Sequence, residues 1–408
     1  MDWILSSPAL SVSAVLDLLI WGCLIFLRGG YWRAGPYLDD TQPSPSTWPP
    51  VVALVPARNE ADVIADALGA LAAQDYPGRF NIIVIDDHSD DATAAAARAA
   101  IPAARAACVR IIAARDLPAG WTGKLWALEE GLREAATFAP RATYVWLSDA
   151  DIAHSPATLR RLVAKAERER RDLVSLMVVL SCRTPWERLL IPPFVYFFRL
   201  LYPFAWANDP RRRTAAAAGG CVLVRRDALS RIGGFAALRD ALIDDCTLAR
   251  RIKDLSGAGD PAAAGGGIWI GLGTESRSLR PYRGLGDIWR MVARTAYTQL
   301  RHSPILLAAA IAGLSITYLA PPALLLAWPW HGQGAAALLG AGAWMMMVAS
   351  MQPTLRLYRQ PVWLGLLLPV AAALYALMTA DSAWRHWCGR GGAWKGRTGP
   401  LEPTPPAG

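Results

Sequence analysis

No Asp, Glu, Lys or Arg occurs between residues 302 and 355, a run of 54 positions. Charge is thin throughout: 18% of the 408 residues carry it, against about 25% in an average soluble domain. Cysteine is scarce too. Six scattered thiols exclude a small disulfide scaffold, and those in the middle of the chain read as buried thiols in a reducing compartment. Neither a G-x-G-x-x-G fingerprint nor a G-x-x-x-x-G-K-[ST] loop is present, which excludes the usual dinucleotide and phosphate-loop folds. There is no zinc-finger spacing and no basic stripe with interleaved aromatics. The net charge of +9 therefore fits anionic lipid or anionic substrates better than nucleic acid. An apolar fraction of 53% excludes disorder over the bulk of the chain.

A spanning helix needs about 20 apolar residues. The uncharged run holds two, near residues 305–327 and 334–351, broken at Trp328-Pro329-Trp330-His331-Gly332-Gln333-Gly334. Residues 360–380 offer a third. Near the start, residues 8–27 are apolar apart from Asp17 and a few serines. Met1-Asp2-Trp3 lacks the positive stretch of a cleavable signal, so this segment reads as an uncleaved anchor. Trp32, Trp328, Trp330, Trp363, Trp384 and Trp387 lie near segment ends, as an aromatic belt requires. Arg28 and Arg33 follow the first segment and nothing basic precedes it, which puts the middle of the chain in the cytoplasm; Arg356 and Arg359 agree. Four spans would put Arg385, Arg390, Lys395 and Arg397 outside. A re-entrant segment, or an exception to the rule, is needed there. The expected organisation is an anchor at 1–33, a cytoplasmic domain at 34–300, about three membrane helices at 301–381 and a basic tail at 382–408. Beyond Asp17 the spans hold no ionisable group of the kind that marks a transport pathway.

The middle of the chain alternates. Val51-Val52-Ala53-Leu54-Val55, Ile82-Ile83-Val84-Ile85, residues 109–112 and residues 144–147 are short buried-strand runs. Helical patterns separate them: Ile64, Leu68 and Leu71 after the first, an Ala-rich stretch from about Ala92, and one around residues 125–135. The fold class is α/β with a mostly parallel sheet. In such sheets ligands bind beyond the carboxyl ends of the strands. Three of these runs lead into acidic or polar segments: Arg58-Asn59-Glu60, Asp86-Asp87-His88-Ser89-Asp90-Asp91 and Ser148-Asp149-Ala150-Asp151.

Asp149 and Asp151 are spaced to reach one divalent ion from a strand-to-loop turn, and oxygen ligands suit Mg²⁺ or Mn²⁺ beside substrate phosphates. A solvated turn would use the same residues. Asp244-Asp245 opens a helical pattern, either as a cap or as a general base for an acceptor hydroxyl. Lys124 is either a phosphate partner or a solvated lysine.

Together these segments carry a resemblance. Ala57-Arg58-Asn59-Glu60, Asp86-Asp87-His88-Ser89-Asp90-Asp91, Gly123-Lys124, Ser148-Asp149-Ala150-Asp151, Gly219-Gly220-Cys221, Gly233-Gly234-Phe235 and Ile243-Asp244-Asp245 occur in the order found in family 2 glycosyltransferases. The resemblance covers about residues 50–300. With the flanking apolar segments and Trp394-Lys395-Gly396-Arg397, the chain looks most like the hopene-associated glycosyltransferases and is similar to ceramide glucosyltransferases. The resemblance implies a GT-A fold in a multi-pass protein of the bacterial inner membrane, with a metal-assisted, inverting transfer from a nucleotide-diphosphate sugar. Glu60 and Asp86 or Asp87 would hold ribose and base, Lys124 would lie near the nucleotide or phosphates, and Asp149 would support the nucleotide sugar. Asp151 would bind the Mg²⁺ or Mn²⁺. Asp245 would be the base, with Gly219, Gly220, Asp244 and Arg294 on the acceptor side.

Two stretches depart from the pattern. Relatives carry Gln/Arg-x-x-Arg-Trp after the base; here Arg294 matches its arginine, but Met291 and Thr295 do not match their positions. That argues against a processive polysaccharide synthase. His88 stands where many relatives have Gly. The apolar run 189–198, broken by Pro192-Pro193, is either an interfacial segment guiding a lipid acceptor or a core helix. A polyprenyl-phosphate sugar synthase is the enzymatic alternative, and a membrane scaffold with a decayed donor site the non-enzymatic one.

Overall fold

The computed structural model describes residues 8–38, 45–239, 241–257 and 266–389. Arg390, Lys395 and Arg397 of the basic tail, and most of the Gly/Ala-rich stretch 257–267, lie outside them. The described residues divide into two units, one within residues 35–181 and 206–281, the other within residues 8–34, 182–205 and 282–389.

The first unit is built on a sheet. All four expected strands form: β1 (Val51–Ala57), β2 (Phe80–Asp86), β3 (Val109–Ala113) and β4 (Tyr144–Ser148). They pair in parallel in the order β3-β2-β1-β4. The helices Ile64–Ala72, Thr93–Ala99 and Gly123–Phe138 lie between them in sequence. β1 and β4 are wholly buried, which explains why they read as unbroken apolar runs rather than alternating ones. Gly131 lets the Gly123–Phe138 helix press on the sheet: a Cβ there would come within 2.7 Å of Ile85 and 3.2 Å of Leu54.

Four more strands were not read from the sequence: β5 (Ile152–Ala153), β6 (Leu173–Val179), β7 (Cys221–Arg225) and β8 (Ile268–Ser278). They continue the sheet as β4-β7-β6-β8-β5. β7 runs antiparallel to β4, with Ser148 opposite Cys221. Its leading residues, Gly219-Gly220, therefore arrive at the same edge where β1, β2 and β4 end. The result is a GT-A type α/β fold.

The second unit is helical. Among the described residues four helices are long and apolar enough to cross a membrane: Ala9–Leu27, Pro304–Leu326, Gly334–Leu357 and Val362–Trp387. They coincide with the four expected segments. This unit also takes two pieces of the stretch 34–300 expected to form the cytoplasmic domain: residues 182–205 and 282–300. The run around 189–198 is a helix, Pro185–Leu201, started by a Thr184/Glu187 capping box. Its Tyr196 hydroxyl bonds those of Tyr31 (2.8 Å) and Ser350 (2.7 Å), and Phe197 sits edge-on to Tyr318 and Tyr375. It packs within the helical unit and not in the core of the sheet domain, where the core-helix reading put it.

Candidate active site

The site forms from the ends of β1, β2 and β4, the start of β7, and two helix starts. At the β1 and β2 ends the loops are laced together. The Asn59 side chain accepts from Asp90 N (2.9 Å), Asn59 N donates to Ser89 Oγ (3.1 Å), and Glu60 N donates to Thr93 Oγ1 (2.7 Å). Asn59 and His88 both hold left-handed backbone, with φ of 52° and 51°. The His88 departure thus falls at a turn that demands positive φ, where glycine is unstrained. Of the two aspartates expected to face ribose and base, Asp86 is partly exposed and Asp87 is fully buried, so of the pair only Asp86 is open to a ligand.

Lys124 stands at the start of the Gly123–Phe138 helix. Its Nζ is 2.8 Å from Asp149 Oδ1 and 3.5 Å from Asp244 Oδ2. Burial disfavours its charge, but the carboxylates outweigh burial and hold its pKa above the ordinary lysine value. Burial pushes Asp149 up, with Asp151 and Asp244 adding to the push and Lys124 opposing it. The lysine is thus no solvated side chain.

The Asp244–Leu255 helix begins as expected, but neither aspartate is its cap: Ile243 takes that position with no side-chain bond. Asp245 Oδ2 accepts Gly219 N (2.8 Å) and Oδ1 accepts Cys246 N (2.7 Å). Burial, with the neighbouring Asp244 charge, raises its pKa to about 6. Such a carboxylate is a poised proton acceptor near neutral pH. Gly219 is constrained by both neighbours, since a Cβ would sit 3.2 Å from Lys124 Nζ and 3.4 Å from Asp245 Oδ2. Lys124, Asp149, Asp244 and Asp245 line one pocket with apolar walls that include Phe235 and Leu248. Arg294 lies in the helical unit, exposed on the helix Leu285–Gln299.

Asp151 turns away from Lys124. Its carboxylate accepts Ser278 Oγ (3.2 Å) and faces Arg280 Nε at 3.5 Å, while the other side of the Arg280 guanidinium bonds Glu60. Among the described residues no three His, Cys, Asp or Glu side chains gather as a metal site. The donor set still fits a hard cation that arrives with phosphate oxygens, because such ions take one or two carboxylates plus substrate. Asp151 would hold it, where a guanidinium now meets its charge.

Two residues of this site escaped the sequence reading. Arg280 is one of many arginines, and only the β5–β8 ladder carries it to Asp151. His154 is buried, with Nε2 3.0 Å from Ser148 Oγ and Nδ1 2.9 Å from Ser276 Oγ. Burial lowers its pKa to about 3, so it is a neutral brace behind the β4 end.

Residues 52–233 match the family model described as glycosyl transferase family 2. This stretch, somewhat under half of the chain, resembles family 2 glycosyltransferases. The match takes in Glu60, Lys124, Asp149, Asp151 and Gly219, and stops short of Asp244 and Asp245. Among solved structures, a mannosyltransferase from Pyrobaculum calidifontis, in complex with GDP-Man and Mn²⁺, is 22% identical with a TM-score of 0.53. The alignment covers 92% of this chain and 98% of that one, so the fold likeness extends past the stretch that the family model matches. Glucosyl-3-phosphoglycerate synthase from Mycobacterium tuberculosis, with Mn²⁺ and UDP-glucose, is 18% identical over 66% of this chain and 84% of that one, with a TM-score of 0.38. No curated protein matches the chain.

Proposed function

We propose that this protein is a membrane glycosyltransferase that moves a sugar from a nucleotide-diphosphate donor to a lipid hydroxyl. The observation that carries the reading is the Lys124–Asp149–Asp244–Asp245 cluster at the sheet edge, with Asp245 held by Gly219 N and its pKa raised by burial and by Asp244. Glu60 and Asp86 bind the nucleoside end of the donor, and Lys124 and Asp149 orient the diphosphate sugar. Asp245 takes the proton from the acceptor hydroxyl as its oxygen forms a bond to the anomeric carbon. The bond from that carbon to the diphosphate breaks, and the electron pair leaves with the nucleoside diphosphate. One displacement inverts the anomeric centre. Mg²⁺ or Mn²⁺ at Asp151 supplies charge neutralisation to the diphosphate.

The lipid acceptor rests on the four apolar helices. Its hopanoid-type identity rests on the resemblance of the whole chain to hopene-associated enzymes. Arg28 and Arg33 favour a cytoplasmic donor domain at the inner membrane. The test is nucleoside diphosphate release by the full chain in lipid, over a panel of nucleotide sugars with Mn²⁺ and a total lipid extract. Release that requires metal and lipid, and vanishes in Asp245→Asn with donor binding retained, supports the reading. Absence of both donor binding and release overturns it in favour of a scaffold.

A further inference from the structure

We propose that Arg280 is a stand-in cation of the donor site: it holds Glu60 and Asp151 until metal and diphosphate arrive, then turns its guanidinium onto the diphosphate. This rests on the glycosyltransferase reading and adds to it a donor-binding residue.

The backbone around Arg280 has little freedom. Ile152 pairs with Ser278 and Ala153 with Arg277 in the β5–β8 ladder. Leu279 N donates to Asp151 O (2.7 Å), and Arg280 N donates to Ser278 Oγ (3.3 Å), which itself donates to Asp151 Oδ2. Arg280 is therefore tied through its main chain to the residue its side chain faces. Only the side chain is left to move, and at 40% exposed it has room to do so. Its partners are more enclosed, at 8% for Glu60 and 18% for Asp151.

Two enclosed carboxylates that share one cation have their desolvation compensated only while a cation is there. A divalent ion entering at Asp151 competes with Arg280 for Oδ2. The displaced guanidinium lies beside the incoming phosphates, whose oxygens it fits in bidentate fashion better than it fits two separate carboxylates. The site thus disfavours metal without donor and favours both together.

Binding measurements on the full chain in nanodiscs test this. Free Mn²⁺ is followed by its electron paramagnetic resonance signal, and UDP and GDP binding by calorimetry with Mn²⁺ present. In Arg280→Ala, Mn²⁺ alone should bind about fivefold tighter or more, while the diphosphate binds about tenfold weaker. Arg280→Gln, which keeps the side-chain bulk, guards against misfolding and should show the same opposed shifts; Arg280→Lys should restore part of the diphosphate affinity. Unchanged or weaker Mn²⁺ binding in both neutral variants, or unchanged diphosphate binding, overturns the proposal while leaving the transferase reading intact. If the wild-type chain binds neither diphosphate, the transferase reading falls and this proposal falls with it.

Discussion

Asp245 gains its basicity from enclosure and from the charge beside it, and loses some to Lys124 and two backbone N–H groups. Activity should follow its ionised fraction: kcat/KM rises with pH and levels off above about 6. Lys124→Met removes a cation that lowers this pKa, so the rising limb should move to higher pH in that variant. Asp245→Asn should lose the limb altogether and about 10² to 10⁴ in kcat, the range typical of a general base. Gly219→Ala probes crowding rather than charge. Its methyl would meet Lys124 and Asp245 at 3.2 and 3.4 Å. We expect kcat to fall about tenfold or more with little change in unfolding temperature, since small displacements at reacting groups are costly. Asp149 was legible as an acidic residue at a strand end, whereas Lys124, Gly219 and Asp245 were picked out by the order of motifs in the resemblance. Arg280 was not, because its role depends on which strand pairs with the two-residue β5, and pairing leaves no local mark.

At the scale of elements, apolar runs carried the first half of the sheet well. β1 to β4 are short, apolar and bounded by turn residues, and the helices between them show their period. The second half was harder for physical reasons. β5 spans only two residues, and β8 contains Gly271 and Gly273, which break its apolar pattern. β6, Leu-Val-Ser-Leu-Met-Val-Val, had the needed signal and was missed. The helix that carries Lys124 is seated by Gly131 against Ile85 and Leu54. Gly131→Val should overpack that contact and destabilise the protein by about 1–3 kcal/mol. Thermal unfolding in detergent should show this, together with weaker nucleotide binding as Lys124 shifts.

At the scale of the whole molecule, the sequence located the apolar helices by their missing charges. It did not reveal that residues 182–205 belong with them, because the uncharged run there is too short to span and is broken by Pro192-Pro193. Glu187 is fully buried and accepts three backbone N–H groups: Arg183 (2.7 Å), Thr184 (2.8 Å) and Tyr282 (2.7 Å). It clasps the two places where the chain enters the helical unit from the sheet. Glu187→Ala leaves these donors without their acceptor and should cost on the order of 3 kcal/mol or more. A lowered unfolding midpoint in detergent would show it, and an unchanged one would refute the clasp.

The chain passes between its units after Ala34, Ser181, Ala205 and Pro281. This governs how a water-soluble donor domain can be made. A fragment trimmed at its ends to residues 35–281 would still carry the helix Pro185–Leu201, but Tyr196 would lack Tyr31 and Ser350, and Phe197 would lack Tyr318 and Tyr375. Bared aromatic and apolar surface of that kind drives aggregation. Solubilising the domain therefore calls for an internal excision, with a polar linker in place of residues 182–205, as well as the removal of its anchors.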